Sequence, residues 1–293
     1  MTQAAAAEGP GFNGVGPAQR AAEAAGTSSG VRVRAVEEMD DLREVARLFA
    51  DVWGRSAEGV PIPSEMLRSL VHADGLVSAA YDLGTGDLAG AAVLGRGVPG
   101  ASYSYIAAAA PGVGDRGIGF TLKQHQRAWC LARAITTMQW TFDPLVSRNA
   151  RFNLSKLGAR VRTYERSFYG QMSDELNGQD EADRLVADWR LDAPAAVAAA
   201  DRTLAESSEP SAHAEALASG PDGAPSLVSD GSSRWCRVPA DIVSLRRTDP
   251  EAASAWRMGV RGALTAAFAE GFVAIGASRT GWYHLSNSEE TVA

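Results

Sequence analysis

The chain has 293 residues, 45% of them apolar and 22% charged, with a net charge of −7. These are ordinary globular values, and they exclude a wholly disordered chain, a collagen and a coiled-coil rod. No run approaches the ~18 consecutive apolar residues of a membrane helix, and the first residues lack the cationic and apolar regions of a signal peptide. Two cysteines, Cys130 and Cys236, with no CxxC argue against a disulfide scaffold or a zinc-cysteine site. The four histidines show no ligand spacing, so no metal is expected. A cytoplasmic protein is the default. Residues 192–233 hold seven acids against Arg202, a charge of −6; residues 1–30 carry −1, and the remainder is neutral. No part is basic enough to make nucleic acid the expected partner.

Residues 1–30 are rich in Ala and Gly, with Phe12 the one large apolar residue. This composition reads as a disordered leader. Alternation over 31–36 then predicts a half-buried strand. Asp40 and Asp41 offer an N-cap, and Leu42, Val45, Ala46, Leu48, Phe49 and Val52 follow at helical spacing up to Gly54. A short helix is expected over 64–72. Three apolar runs at 76–81, 88–94 and 103–110, joined by short turns, predict an antiparallel meander. A glycine-rich loop at 111–119 leads into a helix over 120–134. A strand at 136–142, a helix over 149–157 ending at Gly158 in the left-handed conformation, and a strand at 161–168 come next. Residues 192–233 read as an acidic flexible insertion. Order resumes at Trp235, with a helix from Pro250 to Glu270 and a hairpin from 272–275 and 282–285. Residues 234–287 have too little core to fold alone, so they are expected to pack on the preceding domain; 288–293 form a tail. Both the leader and the insertion are expected to be dispensable for folding.

This order of elements resembles the GNAT acyltransferases over residues 31–170. The local match is Gly114-Asp115-Arg116-Gly117-Ile118-Gly119, after a strand and before a helix. In that family such a loop cradles the coenzyme A pyrophosphate on backbone N–H groups at a helix N-terminus. Gly114 stands where the family carries Arg or Gln, which leaves Arg116 to supply the charge. Downstream, Trp140-Thr-Phe-Asp-Pro, Arg148-Asn-Ala and Lys156-Leu-Gly-Ala, with Tyr169-Gly-Gln-Met and Asp183-Arg-Leu, are similar to a bacterial GNAT subfamily. Leu154 occupies the position of the tyrosine that often protonates the departing CoA thiolate. The resemblance implies an α/β fold, a mixed and mostly antiparallel twisted sheet flanked by helices, with residues 31–191 as the acyltransferase domain.

It also implies N-acyl transfer from acetyl-CoA or another short acyl-CoA to a small amine or amino acid. A non-catalytic CoA-binding protein and a protein N-acetyltransferase are the alternatives. Ile106, Ala107 and Ala108 would pair with the acyl-CoA like another strand. Asn149 and Asn153, four residues apart, would share a helix face and bond the pantetheine arm. Tyr105, Tyr169 and Asp143 are candidates for catalysis, with Tyr103 beside an acceptor pocket and Tyr164 a further substitute for the missing acid. His125 reads as packing or surface. No general base is evident, no membrane contact is expected, and homodimerisation is left open.

Overall fold

The computed structural model describes residues 16–54, 61–170 and 181–287. Strand β1 (Val31–Ala35) leads to helices α2 (Met39–Trp53) and α3 (Ser64–His72) and to the meander β2 (Leu76–Asp82), β3 (Leu88–Arg96) and β4 (Ala101–Ala109). Helix α4 (Ile118–Leu131), β5 (Thr137–Phe142), α5 (Ser147–Arg151) and β6 (Arg160–Glu165) follow. α2 starts one residue before the two aspartates, at N-cap Glu38. Asp40 and Asp41 therefore sit in the first turn, where they favour the helix dipole, and Asp41 takes a bidentate bond from Arg34 on β1. α5 runs directly into a π-helical turn, Phe152–Lys156.

The second half adds β7 (Arg184–Arg190), α6 (Pro194–Ala200), β8 (Glu215–Ser219), β9 (Pro225–Asp230), β10 (Ser233–Arg237), α7 (Ile242–Thr248), α8 (Pro250–Ala269), β11 (Val273–Ala277) and β12 (Trp282–Ser286). All twelve strands form one sheet, ordered β1-β2-β3-β4-β5-β7-β6-β11-β12-β10-β9-β8. Among the described residues only β4 and β5 pair in parallel; the other pairings are antiparallel. The sheet is thus mixed and mostly antiparallel, as the resemblance implies.

Helices cover both faces. Leu42, Val45, Phe49 and Leu67 from α2 and α3 pack on Val77, Ala79, Ala91 and Val93. Ile118 and Leu122 of α4 pack on the other face, against Val31, Ala80, Ala89 and Ala92. Trp256, Val260 and Leu264 of α8 share one core with Met138, Trp140, Leu185 and Trp189.

Two expectations need correction. Part of the leader is ordered: α1 (Pro17–Ser29) precedes β1, with Ala22, Ala25, Gly26 and Ser29 buried. Small side chains let it approach α4 closely, and Thr121 Oγ1 bonds both Ser29 Oγ (2.9 Å) and the Ala25 carbonyl (3.1 Å). Residues 1–15 and the tail from 288 lie outside the described residues.

The acidic insertion is also structured. Its Ala196 and Ala199 are buried on α6, Gly158 (φ 73°) fits against Ala195, and β8 and β9 extend the sheet from β10. Several of its acids find charged partners outside the segment. Glu206 meets Arg279, Lys156 and Arg151, which pull its carboxyl down to about 2, and Asp222 takes two bonds of 2.8 Å from Arg237.

Candidate functional site

The site is built where β4 parts from β5 while still paired to β3. Its pairing with β5 covers Ala101↔Thr137 to Tyr103↔Gln139 and stops. On its other side the register with β3 passes from Leu94↔Ser104 to Val93↔Ile106. Tyr105 is the additional residue, a β-bulge that bends the strand and re-aims its side chain. Gly95 makes room for the Tyr105 ring, since a Cβ there would lie 2.5 Å from Cε2. Past the bulge β4 bends from β5, so a wedge opens between two strands that begin as neighbours. Ile106, Ala107 and Ala108 line the β4 side; Ala107 is exposed and Ala108 buried.

The glycine-rich loop follows the last residue of β4, at the open end of this wedge. Gly112 (φ 81°), Gly114 (φ 69°) and Gly117 (φ 82°) all adopt the left-handed region, which glycine enters without penalty. Gly117 is the N-cap of α4. The first intrahelical bond runs from Thr121 N to the Gly117 carbonyl, so the amides of Ile118, Gly119 and Phe120 have no intrahelical acceptor. Ile118 is buried while Gly114, Asp115 and Arg116 are exposed. A Cβ on Gly119 would reach Phe152 Cζ only at 3.7 Å, an ordinary contact.

Arg116 is corrected from its expected role. Its guanidinium bonds Asp82 Oδ2 at 2.6 Å and the carbonyls of Ser29 and Gly30 at 3.0 and 3.2 Å. It fastens the end of α1 to the β2 turn, and Arg116 with the adjacent turn amides holds the Asp82 carboxyl below its ordinary range. The loop's anion-binding capacity therefore rests on amides and helix dipole.

The asparagine pair is also corrected. Asn149 is exposed, whereas Asn153 is buried and accepts the Trp140 indole N–H at 3.2 Å. Leu154 is 1% exposed, inside the main core.

Three tyrosines that the sequence separates are brought together. Tyr103 and Tyr105 meet edge-on with ring centroids 5.1 Å apart, and Tyr103 and Tyr169 both reach Thr141 Oγ1, at 3.5 and 3.2 Å. Tyr105 and Tyr169 are 52% and 50% exposed. Burial raises the Tyr103 hydroxyl's pKa. Tyr103 and Thr141 project from the sheet face opposite α4.

Asp143 and Tyr164 lie elsewhere. Asp143 is buried, bonded by Arg246 (2.5 Å), Arg257 (3.4 Å) and the Leu145 amide (2.9 Å). Burial opposes its charge, but Arg257 and Arg246 outweigh that and keep the carboxyl below its ordinary range. Tyr164 donates to Asp183 at 2.6 Å, and Asp183 also receives Arg261 at 2.8 Å. Both acids fasten α7 and α8 to the sheet, which corrects Asp143 as a candidate for catalysis. Glu181 also pairs with Arg261.

One residue at the wedge escapes sequence reasoning. Lys123, on α4, is 4% exposed, and its Nζ lies 3.7 Å from the ring centroid of Trp140. Its rarity was the available signal: lysine occurs only here and at position 156. On the same helix, His125 Nδ1 meets Ser78 Oγ at 2.9 Å, and burial lowers its pKa to about 4. Among the described residues no cluster of three His, Cys, Asp or Glu could hold a metal, and no helix is long and apolar enough to cross a membrane.

No protein-family model matches the chain, and no curated protein matches it. Solved structures align with about half of it. A protein assigned to the GNAT acetyltransferase family from Desulfovibrio desulfuricans aligns with 55% of this chain and 99% of its own, at 18% identity and TM-score 0.43. The ribosomal-protein-S18-alanine N-acetyltransferase from Escherichia coli covers 55% of this chain and 94% of its own, at 17% identity and TM-score 0.45. An acetyltransferase from Bacillus subtilis in complex with CoA gives 55%, 98%, 19% and 0.42. Likenesses of this grade carry no argument about activity, which has to come from the geometry above.

Proposed function

We propose that the protein transfers an acetyl or other short acyl group from acyl-CoA to a small amine or amino acid. One observation carries this reading: β4 parts from β5 at a bulge, and the strand's open end runs into a glycine loop that caps a helix. An extended amide-bearing arm fits the wedge as a strand would, by bonding the free edge of β4 at Ile106 to Ala108. The amides of Ile118, Gly119 and Phe120 would hold the pyrophosphate, since a helix N-terminus presents donors and a favourable dipole to an anion. Acyl-CoA is then fixed with its thioester near the bulge, where a strand amide can donate to the developing oxyanion. Tyr103, Tyr105 and Tyr169, on the opposite face, would flank an amine approaching that carbon, and the gain is chiefly one of orientation.

The test is release of CoA thiol against a library of amines, amino acids and short peptides. Turnover by a small amine supports the reading. Tyr105→Phe and Tyr169→Phe should then each keep kcat within about tenfold, because neither hydroxyl is required as the acid, whose loss costs ~10²–10⁴. The buried Leu154 at the usual tyrosine position favours a second reading, a protein that binds CoA without turnover. CoA binding with no thiol release by any acceptor would establish that instead.

A further inference from the structure

The buried Lys123 has no task in the description above, and its neighbours define where it points. Three residues on, Gln126 Oε1 accepts Ser104 Oγ at 3.2 Å; seven residues on, Cys130 Sγ meets Ser102 Oγ at 3.5 Å. This face of α4 therefore lies beneath β4. Ser102 is still paired to β5, opposite Met138, but Ser104 is past the last pair, Tyr103↔Gln139. One turn nearer the loop, Lys123 crosses to β5 and rests on Trp140, the first β5 residue beyond that pair. Its Nζ thus sits at the apex of the wedge, where the thioester end of an acyl-CoA held by the loop would arrive.

The surroundings make this amine unusual. Trp140 is held in place by Asn153, so the ring that carries the ammonium is fixed. Among the described residues no carboxylate meets Lys123. The groups facing it are the Trp140 ring from β5 and, on its own helix, the Cys130 thiol, which burial pushes up to about 11 and so keeps neutral. Burial lowers the Lys123 ammonium to about 7, with the thiol opposing weakly. An ordinary lysine keeps its proton at neutral pH; this one can give it up.

We propose that Lys123 is the proton donor that receives the departing CoA thiolate, in place of the tyrosine that Leu154 replaces. This rests on the acyl-transfer reading. In the step, the acceptor nitrogen bonds the thioester carbon and the C–S bond breaks with its electron pair going to sulfur. Nζ–H transfers its proton to that sulfur and leaves Lys123 neutral. The proton shed by the acceptor nitrogen returns to Lys123 through solvent, so the balance is acyl-CoA plus amine to amide plus CoA thiol.

Lys123→Met and Lys123→Arg test it, with kcat followed against pH and CoA affinity followed by calorimetry. Both variants should lose about 10²–10⁴-fold in kcat at unchanged CoA affinity, and arginine should not rescue, since its guanidinium does not release a proton. The wild type should lose kcat above neutral pH as Lys123 deprotonates, and the variants should lack that limb. A Met variant that keeps kcat within about tenfold of wild type, or wild type that binds CoA and never releases thiol, overturns the proposal. So does an acyl group found on Lys123 itself. Failure of the wild type to bind CoA sinks the acyl-transfer reading instead. With two lysines in the chain, ¹³C-labelled lysine gives a check that needs no variant. The Lys123 signal should titrate near neutral pH and move on saturation with CoA while Lys156 stays; a Lys123 signal that CoA leaves unmoved contradicts the proposal.

Discussion

The seam between β5, β7 and α8 and the face of α4 beneath β4 are both buried and both polar, but their charges are settled in opposite ways. In the seam, Asp143 and Asp183 are enclosed by Arg246, Arg257 and Arg261, with Tyr164 and the Leu145 amide taking the remaining positions. Along α4, Lys123 has a tryptophan ring and no anion, and the Gln124 amide has no partner for either of its atoms among the described residues. Buried charge met by opposite charge acts as a clamp, and removing one member is costly because the other is left uncompensated. Buried polarity left unpaired raises the energy of the free protein. The comparison therefore separates a region that holds the fold together from a region that, on the acyl-transfer reading, a substrate would complete.

Breaking the seam should show the largest effect on stability. Asp143→Asn removes the buried carboxylate that Arg246 and Arg257 share and should cost about 3–5 kcal/mol in urea unfolding. Because the folded-state carboxyl is held low, its contribution is complete above the unfolded pKa of about 4 and disappears as pH falls through the folded value. Deleting residues 1–30 should cost less, about 2 kcal/mol, from exposure of the α4 surface that Ala22 and Ala25 cover. An unchanged unfolding midpoint would restore the dispensable leader expected from composition.

The smallest effect carries the opposite sign. Lys123→Met removes an ammonium that burial disfavours, so stability at pH 6 should stay within about 1 kcal/mol of wild type or rise. The wild type should also gain stability as pH rises from about 7 towards ~10.4, because there the unfolded lysine holds a proton that the folded one has released. The variant should lack that slope. A Met variant as damaged as Asp143→Asn would place Lys123 in the clamp.

Much of the first half was legible because its signals are local. The apolar periodicity of α2 (Met39–Trp53) and the apolar runs of β2 to β4 are set by neighbours in sequence, as is Gly158, the glycine that ends the helix before it. What failed was long-range. α1 is rich in Ala and other small residues, which resembles low-complexity sequence until α4 is there to receive it. The acids of 192–233 looked solvated because Arg279, Lys156 and Arg237 lie outside the segment. At the site, the glycines were readable from spacing, but the commitment of Arg116 to Asp82 and of Asn153 to Trp140 was not. The opposite burial of Asn149 and Asn153 leaves no mark in the residue types. Lys123 was passed over because a single basic residue in a helix is usually on its solvated side.

The central claim is that the wedge between β4 and β5, closed by the α4 loop, binds acyl-CoA. Gly119 tests it most directly, because its backbone is unstrained and a Cβ meets only the Phe152 ring at ordinary distance. Gly117 would confound the same test, since its positive φ makes any side chain costly. Calorimetry should show CoA binding to wild type and to Gly119→Ala, and binding weakened by at least about 100-fold in a folded Gly119→Asp, whose carboxylate would face the phosphates at the helix terminus. Equal CoA affinity in all three, or no binding by the wild type, would contradict the account.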